Sequence, residues 1–226
     1  MGEETLPQAT TGLRRLRPPG WVWDPARRSQ PLETWLAIQR ARIAQRHLPD
    51  SVRSGRILDI GCGPAARFLN GVEAIEKEGV DELCQPYEST EVRRGTRYRL
   101  RLQPFDLSKH HPLPFEDTWF DAVVSLAVFE HVPRESVLTL LREIRRVLKP
   151  GGRCIITTPA RGTETLLHGL SWLRLVDHDL ASQHHRHFSL SELRAVFSEA
   201  GFPAASIRLG RFELGVNLWA VAQKGS

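Results

Sequence analysis

No apolar run in the chain approaches the ~18 residues that a membrane-spanning helix needs, so a span of that kind is excluded. Cysteine is scarce. Cys62, Cys84 and Cys154 are odd in number, lie far apart and form no C-x-x-C pair, which indicates neither a disulfide framework nor a zinc site. They read as structural residues, since a free cysteine in a core behaves as a small hydrophobe. Charge of one sign is also in short supply. The formal net charge of +5 comes mostly from scattered arginines. The clusters are Arg14–Arg15–Arg17, Arg27–Arg28, Arg93–Arg94 and Arg142–Arg145–Arg146, and the last lies on the polar side of an amphipathic helix. A nucleic-acid binder would concentrate such charge on one face or arm, so a nucleic-acid partner is not indicated. Met1 to Pro18 carries no apolar segment of the kind a secretory signal requires, and a cytoplasmic location is the expectation.

What is present suits one domain. The 226 residues are 41% hydrophobic and 25% charged, the balance of an ordinary globular protein with a sizeable core. Residues 1–30 hold Pro7, Pro18, Pro19, Gly20 and Pro25 without periodicity, which predicts an extended arm. Trp21 and Trp23 would pack on the domain, and the arm could serve as a lid. The domain proper is expected over 31–226. A helix is predicted from about Leu32 to Leu48, with Leu32, Trp35, Leu36, Ile43 and Ala44 on one side and Pro49 as its stop.

A strand–turn–helix alternation follows. Arg56 to Ile60 is a short apolar run closed by Gly61-Cys62-Gly63-Pro64; a second strand should end at Gly79-Val80-Asp81 and a third at Leu102 to Asp106. Phe120 to Leu126 is nearly all apolar, as a central parallel strand covered on both faces should be. Val137, Leu140, Leu141, Ile144 and Leu148 have helical spacing, ended by Pro150-Gly151-Gly152, and Arg153 to Thr158 reads as the fifth strand. Ser189-Leu190-Ser191-Glu192 is a capping box, and strands are expected near Ala205–Leu209 and Val216–Ala222. The first crossover, around Phe68, Val72 and Ile75, must be short or irregular. The alternation argues for a Rossmann-like α/β/α sandwich.

Open parallel sheets bind ligands at the carboxyl ends of their strands. Gly61 and Gly63 make a tight turn there, close enough for the backbone to approach a ligand. Asp81, at the end of the second strand, can accept hydrogen bonds from both hydroxyls of a ribose. Asp106, at the end of the third, can accept one from an adenine amino group.

These segments resemble the class I S-adenosylmethionine-dependent methyltransferases, most closely over residues 54–160. Leu58-Asp59-Ile60-Gly61-Cys62-Gly63 looks like the first motif, Gly79-Val80-Asp81 the ribose motif, and Phe105-Asp106-Leu107 the start of the adenine region. Leu126-Ala127-Val128-Phe129-Glu130-His131-Val132 and Leu148-Lys149-Pro150-Gly151-Gly152 are similar to two later ones. The resemblance implies a seven-stranded, mostly parallel sheet with an antiparallel final strand. It also implies that S-adenosylmethionine is the methyl donor, S-adenosylhomocysteine its product, and an oxygen or nitrogen of a small molecule the acceptor; the alternatives are an enzyme acting on RNA or protein, and a scaffold that binds the cofactor without catalysis. Asp59, Gly61, Cys62 and Gly63 would hold the methionine part, with Asp81, Asp106, Leu107 and Ala127 around the remainder. The third glycine of the family turn is Ala65 here. The first turn also lacks the last glycine of G-x-G-x-x-G, which argues against a dinucleotide oxidoreductase.

The acceptor side is less defined. His131 follows the fourth strand and could act as general base, with His187 the second candidate; alternatively His131 packs or hydrogen-bonds the methionine end. His178, His184, His185 and His187, with Asp177 and Asp179, fall in an insertion over 160–188 that would line or cover the acceptor pocket, and no metal is expected there. Neither an Asn/Asp-Pro-Pro-Tyr loop nor a Pro-Cys nucleophile is found, which favours a small acceptor over a nucleic-acid base. A monomer or homodimer is expected.

Overall fold

The computed structural model describes residues 31–107, 109, 112–161 and 187–226. The predicted arm, with Trp21 and Trp23, and the insertion's Trp172, Leu173, Leu175, Asp177, His178, Asp179, His184 and His185 lie outside the described residues.

Helix α1 (Pro31–His47) leads through a short 3-10 turn into β1 (Arg56–Ile60), and the first crossover is one short helix, α2 (Arg67–Gly71). Then come β2 (Glu76–Asp81), β3 (Tyr87–Arg93), β4 (Thr96–Pro104), β5 (Phe120–Leu126), α3 (Arg134–Val147) and β6 (Leu148–Pro159). The chain ends with α4 (Leu190–Glu199), β7 (Arg208–Phe212) and β8 (Asn217–Gln223). The sheet runs β3-β4-β2-β1-β5-β6-β8-β7. β4, β2, β1, β5 and β6 are parallel; β3 pairs antiparallel with β4, β8 with β6, and β7 with β8. Strand order reverses between β1 and β5, and that switch point is where open α/β sheets take their ligands.

Among the described residues the sheet has eight strands, not the expected seven. The extra one is β3, joined to β4 by the two-residue turn Arg94-Gly95, both with positive φ (49° and 80°). β4 therefore starts earlier than expected and stops at Pro104, leaving Asp106 two residues beyond its end. β6 likewise begins at Leu148, so the Pro150-Gly151-Gly152 segment belongs to a strand.

Two apolar layers cover the sheet. Alternate strand residues Ile57, Val124 and Ile155 pack with Ala41, Ala44, Phe68 and Leu69 of α1 and α2. Leu58, Val123 and Ile156 pack with Leu141 and Ile144 of α3 and Phe197 of α4. The face that α1 buries is Ala41 and Ala44, whereas Trp35 is exposed, because a helix lying close against a sheet favours small side chains. α4 starts with the full capping box: Ser189 Oγ accepts from Glu192 N, and Glu192 Oε2 accepts from Ser189 N.

Candidate functional site

The turn after β1 is built for close approach. Gly61 and Gly63 have φ of +76° and +64°, where a side chain is strained. A Cβ on Gly61 would lie 2.2 Å from Val128 Cγ2, whereas one on Gly63 would meet nothing within 4 Å. Gly61 is thus required by packing, and Gly63 faces open space that a ligand can use. The residue in the left-handed region after these glycines is Ala66 (φ 42°), which precedes α2, not the Ala65 that stands in the third glycine position.

Asp81 stands at the end of β2 and ties the neighbouring loops together. Its Oδ2 accepts from Gly63 N at 2.9 Å and its Oδ1 from Leu83 N at 2.8 Å, leaving lone pairs on both oxygens for further donors. Gly79 is needed two residues earlier, since a Cβ there would come within 2.6 Å of Leu102 and 2.7 Å of Cys62 Sγ. Cys62 and Cys84 are buried free thiols with Sγ atoms 3.5 Å apart. Burial pushes both thiols up in pKa and keeps them protonated.

Asp59 lies beneath this turn, buried, and burial followed by the nearby Asp81 carboxylate pushes its pKa up to about 7. Asp106 is drawn in next to the Asp81 loop because Phe105 N donates to Asp81 O at 3.1 Å. Its carboxylate pairs with Lys109 Nζ at 3.0 Å. Phe105 and Leu107 line a cleft against Ser136, Leu140 and Glu143 of α3. The facing loop is pinned by Arg146, which donates to Leu113 O, Phe115 O, Glu143 and Asp117.

Across the switch point, Ala127 follows β5 with φ 57° and donates its N–H to Thr157 O at 2.9 Å. A non-glycine residue held in that region marks a turn dictated by its surroundings. Beyond it His131 is solvent-exposed, its backbone N–H donates to Val128 O, and partial desolvation of the ring lowers its pKa. Glu130 beside it is buried and accepts from Thr158 Oγ1 at 3.3 Å; burial raises its pKa to about 7. His187 sits at the far side of β6, with Nδ1 3.1 Å from Ala160 O.

Asp59, Gly61, Cys62, Gly63, Asp81 and Ala127 are therefore brought to one end of the sheet, with Asp106 and Leu107 on its flank. His131 and His187 belong to the same end but to separate loops. Sequence reasoning placed Gly79 and Val128 inside motifs without giving either a role, and it missed Thr158 and Arg40; Gly79 carried a local signal, as a glycine inside a strand. The described residues contain no cluster of histidine, cysteine and carboxylate groups that could hold a metal, and no helix long and apolar enough to cross a membrane. A groove of about 360 Å³ lined by Gln45, Leu48, Arg53 and Glu73 lies at the opposite, amino-terminal end of the strands.

A nucleoside with a charged amino-acid tail fits this arrangement. The open space over Gly63 admits the backbone-hugging tail, Asp59 offers a carboxylate to its cations, and the free lone pairs of Asp81 suit a ribose. The comparisons with known proteins agree. The chain is 30% identical over 155 residues to the ubiquinone biosynthesis O-methyltransferase of Dechloromonas aromatica, covering 64% of this chain and 60% of that protein. It is 30% identical over 110 residues to the probable tRNA methyltransferase 9B of Mus musculus, covering 48% of this chain and 23% of that one. Matches span only 23% to 38% of the length of the first curated relatives. A solved S-adenosylmethionine-dependent methyltransferase from Thermotoga maritima shares the fold, with a TM-score of 0.58 at 19% identity over 85% of this chain and 94% of that one. The methyltransferase domain family matches residues 33–206. The chain belongs to that family, and its fold is the one seen in solved S-adenosylmethionine-dependent methyltransferases.

Proposed function

We propose that the protein moves a methyl group from S-adenosylmethionine to an oxygen or nitrogen of a small-molecule acceptor. The observation that carries this reading is the make-up of the acceptor end of the sheet. Glu130 and Glu213 stand there with the guanidinium of Arg40, a small mixed set of groups suited to a compact polar acceptor and unlike the row of cations that tracks a polyphosphate backbone. The similarity to the ubiquinone O-methyltransferase also runs further along this chain than that to the tRNA enzyme.

When bound, S-adenosylmethionine supplies a methyl already activated on a sulfonium. The protein's contribution is alignment and exclusion of water. Asp59 and the Gly61–Gly63 turn hold the methionine part, Cys62 filling the space behind it. Asp81 holds the ribose, Asp106 and Leu107 the adenine, and Ala127 shapes the wall beside the methyl. His131, neutral at physiological pH, takes the proton that an attacking hydroxyl loses; His187 is the second candidate.

The test is methyl transfer from radiolabelled donor, with total RNA, total protein and a small-metabolite extract of the same cells offered separately. Label in the metabolite fraction is the expected outcome. Label in RNA or protein alone would replace this reading with one in which the surface arginines dock a macromolecule.

A further inference from the structure

Several polar atoms remain without partners at the acceptor end of the sheet, and they converge. α1 runs antiparallel to β6: Arg153 near the start of β6 donates to His47 O at the end of α1, and His47 stacks on Trp219. The earlier turns of α1 therefore lie over the carboxyl end of β6. Thr157 shares the α1-facing side of β6 with Ile155, two residues before it. Asn217 pairs with Pro159 and shares that side too, and its side chain donates to Glu213 Oε2.

Within this group Arg40 Nε, Thr157 Oγ1 and Glu213 Oε1 are each shielded from solvent and bonded to nothing. Thr157 is fully buried. Buried polar groups are paired as a rule, so three orphans at one place call for an explanation. The Arg40 guanidinium is near enough to Glu130 and Glu213 to offset part of the rise that burial causes in both pKa values, yet forms an ion pair with neither among the described residues. Glu213 and Leu214 also have left-handed backbones, at φ 52° and 58°, a conformation that costs free energy in non-glycine residues.

We propose that Arg40 anchors an anionic oxygen group of the methyl acceptor, a carboxylate, with Glu213 and Thr157 binding hydroxyl groups on the same molecule. The inference rests on the small-molecule reading above and narrows it to hydroxylated carboxylates. A guanidinium donor left unpaired in a shielded site matches a carboxylate in charge and geometry. Glu213 Oε1 requires a donor, which a hydroxyl supplies. Burial holds Glu130 and Glu213 above the ordinary carboxyl range, which lessens their repulsion of the incoming anion. One guanidinium suits one such group, in keeping with a small acceptor.

The test compares two probes that differ only in the carboxylate, 3,4-dihydroxybenzoate and catechol. Each is titrated by NMR into protein saturated with S-adenosylhomocysteine. The benzoate should bind about tenfold more tightly than catechol, with the advantage shrinking to about twofold or less in Arg40→Gln and partly kept in Arg40→Lys. Unchanged S-adenosylhomocysteine affinity in both variants verifies the fold. Equal binding of the two probes to the wild-type protein, weak or absent binding of both included, overturns the proposal. So does an advantage that survives in Arg40→Gln. Label transferred to RNA in the fractionation experiment would instead remove the small-molecule reading, whatever the probes do, so the two failures can be told apart.

Discussion

The Asp81 carboxylate accepts the backbone N–H of Gly63 at 2.9 Å, joining the end of β2 to the turn that follows β1. The residue that would hold the ribose thus also shapes the turn that would hold the methionine tail. Asp81→Ala should remove both functions and weaken S-adenosylhomocysteine binding by about 1.5–3 kcal/mol, roughly 10- to 150-fold. Asp106→Ala should cost less, because that carboxylate is already engaged by Lys109 and would offer adenine one bond. Calorimetric titration measures both. Wild-type affinity in a folded Asp81→Ala protein would remove Asp81 from the site.

Asp59 gives the protein a pH dependence whose sign is fixed. Its folded pKa of about 7 lies above the ordinary carboxyl value, so the native state holds that proton more tightly than the unfolded chain. The stability it contributes without ligand is complete below about pH 4 and is lost as pH rises through 7. Wild type and Asp59→Asn should diverge over that window by more than about 1.4 kcal/mol, the equivalent of one pKa unit. The cationic donor prefers the carboxylate form, so binding at pH 6 should release a proton and affinity should rise toward pH 8. Calorimetry at pH 6 in two buffers of different ionisation enthalpy reads the proton directly. Zero release would mean that Asp59 is already ionised or does not meet the ligand.

Gly61 and Gly63 look alike in sequence and should behave differently. At Gly61 a methyl group collides with Val128 in addition to the backbone strain, so Gly61→Ala should destabilise by about 2–4 kcal/mol. Val128→Ala in the same chain should recover part of that loss. Gly63→Ala carries only the strain, about 1–2 kcal/mol, but places its methyl group where the ligand belongs and should chiefly reduce affinity. Chemical denaturation of the three variants tests the pattern, and equal stability of the two alanine variants would contradict it.

The parts of this molecule that were legible in its sequence are those where a local rule operates. The apolar run of β5, the Ser189 capping box and the glycine–aspartate ends of β1 and β2 each follow from backbone chemistry within a few residues. β3 was not legible because almost every residue from Tyr87 to Arg93 is solvent-exposed, so no face is buried to impose alternation. Its turn is Arg94-Gly95, without the Asn or Asp that usually signals a hairpin. The packed face of α1 was only partly legible for the converse reason: the expected Ala44 makes the contact together with Ala41, while the larger Trp35 does not. The group formed by Arg40, Thr157 and Glu213 has no spacing to detect, since its members come from α1, β6 and the turn before β8. Only the sheet order brings them together.

Proton transfer supplies the last prediction. His131 follows β5 at the switch point, and partial desolvation of its ring lowers its pKa below the ordinary imidazole value. It is therefore neutral and able to accept a proton at pH 7, and becomes protonated only on the acid side of about 6.5. The rate should accordingly fall as pH drops below that value. His131→Ala should lower turnover by roughly 10²–10⁴-fold and abolish that acidic limb, while affinity for S-adenosylhomocysteine barely changes. His187 is held against Ala160 O on a different loop, and His187→Ala should leave the limb in place. Glu130 complicates the profile because its own pKa is also raised to about 7, so Glu130→Gln is the necessary control. An acidic limb that survives His131→Ala and vanishes in Glu130→Gln would assign the proton to the glutamate. A loss below tenfold in both variants, with the profile unchanged, would mean that alignment alone drives the reaction, as it can for an amine acceptor that is already nucleophilic.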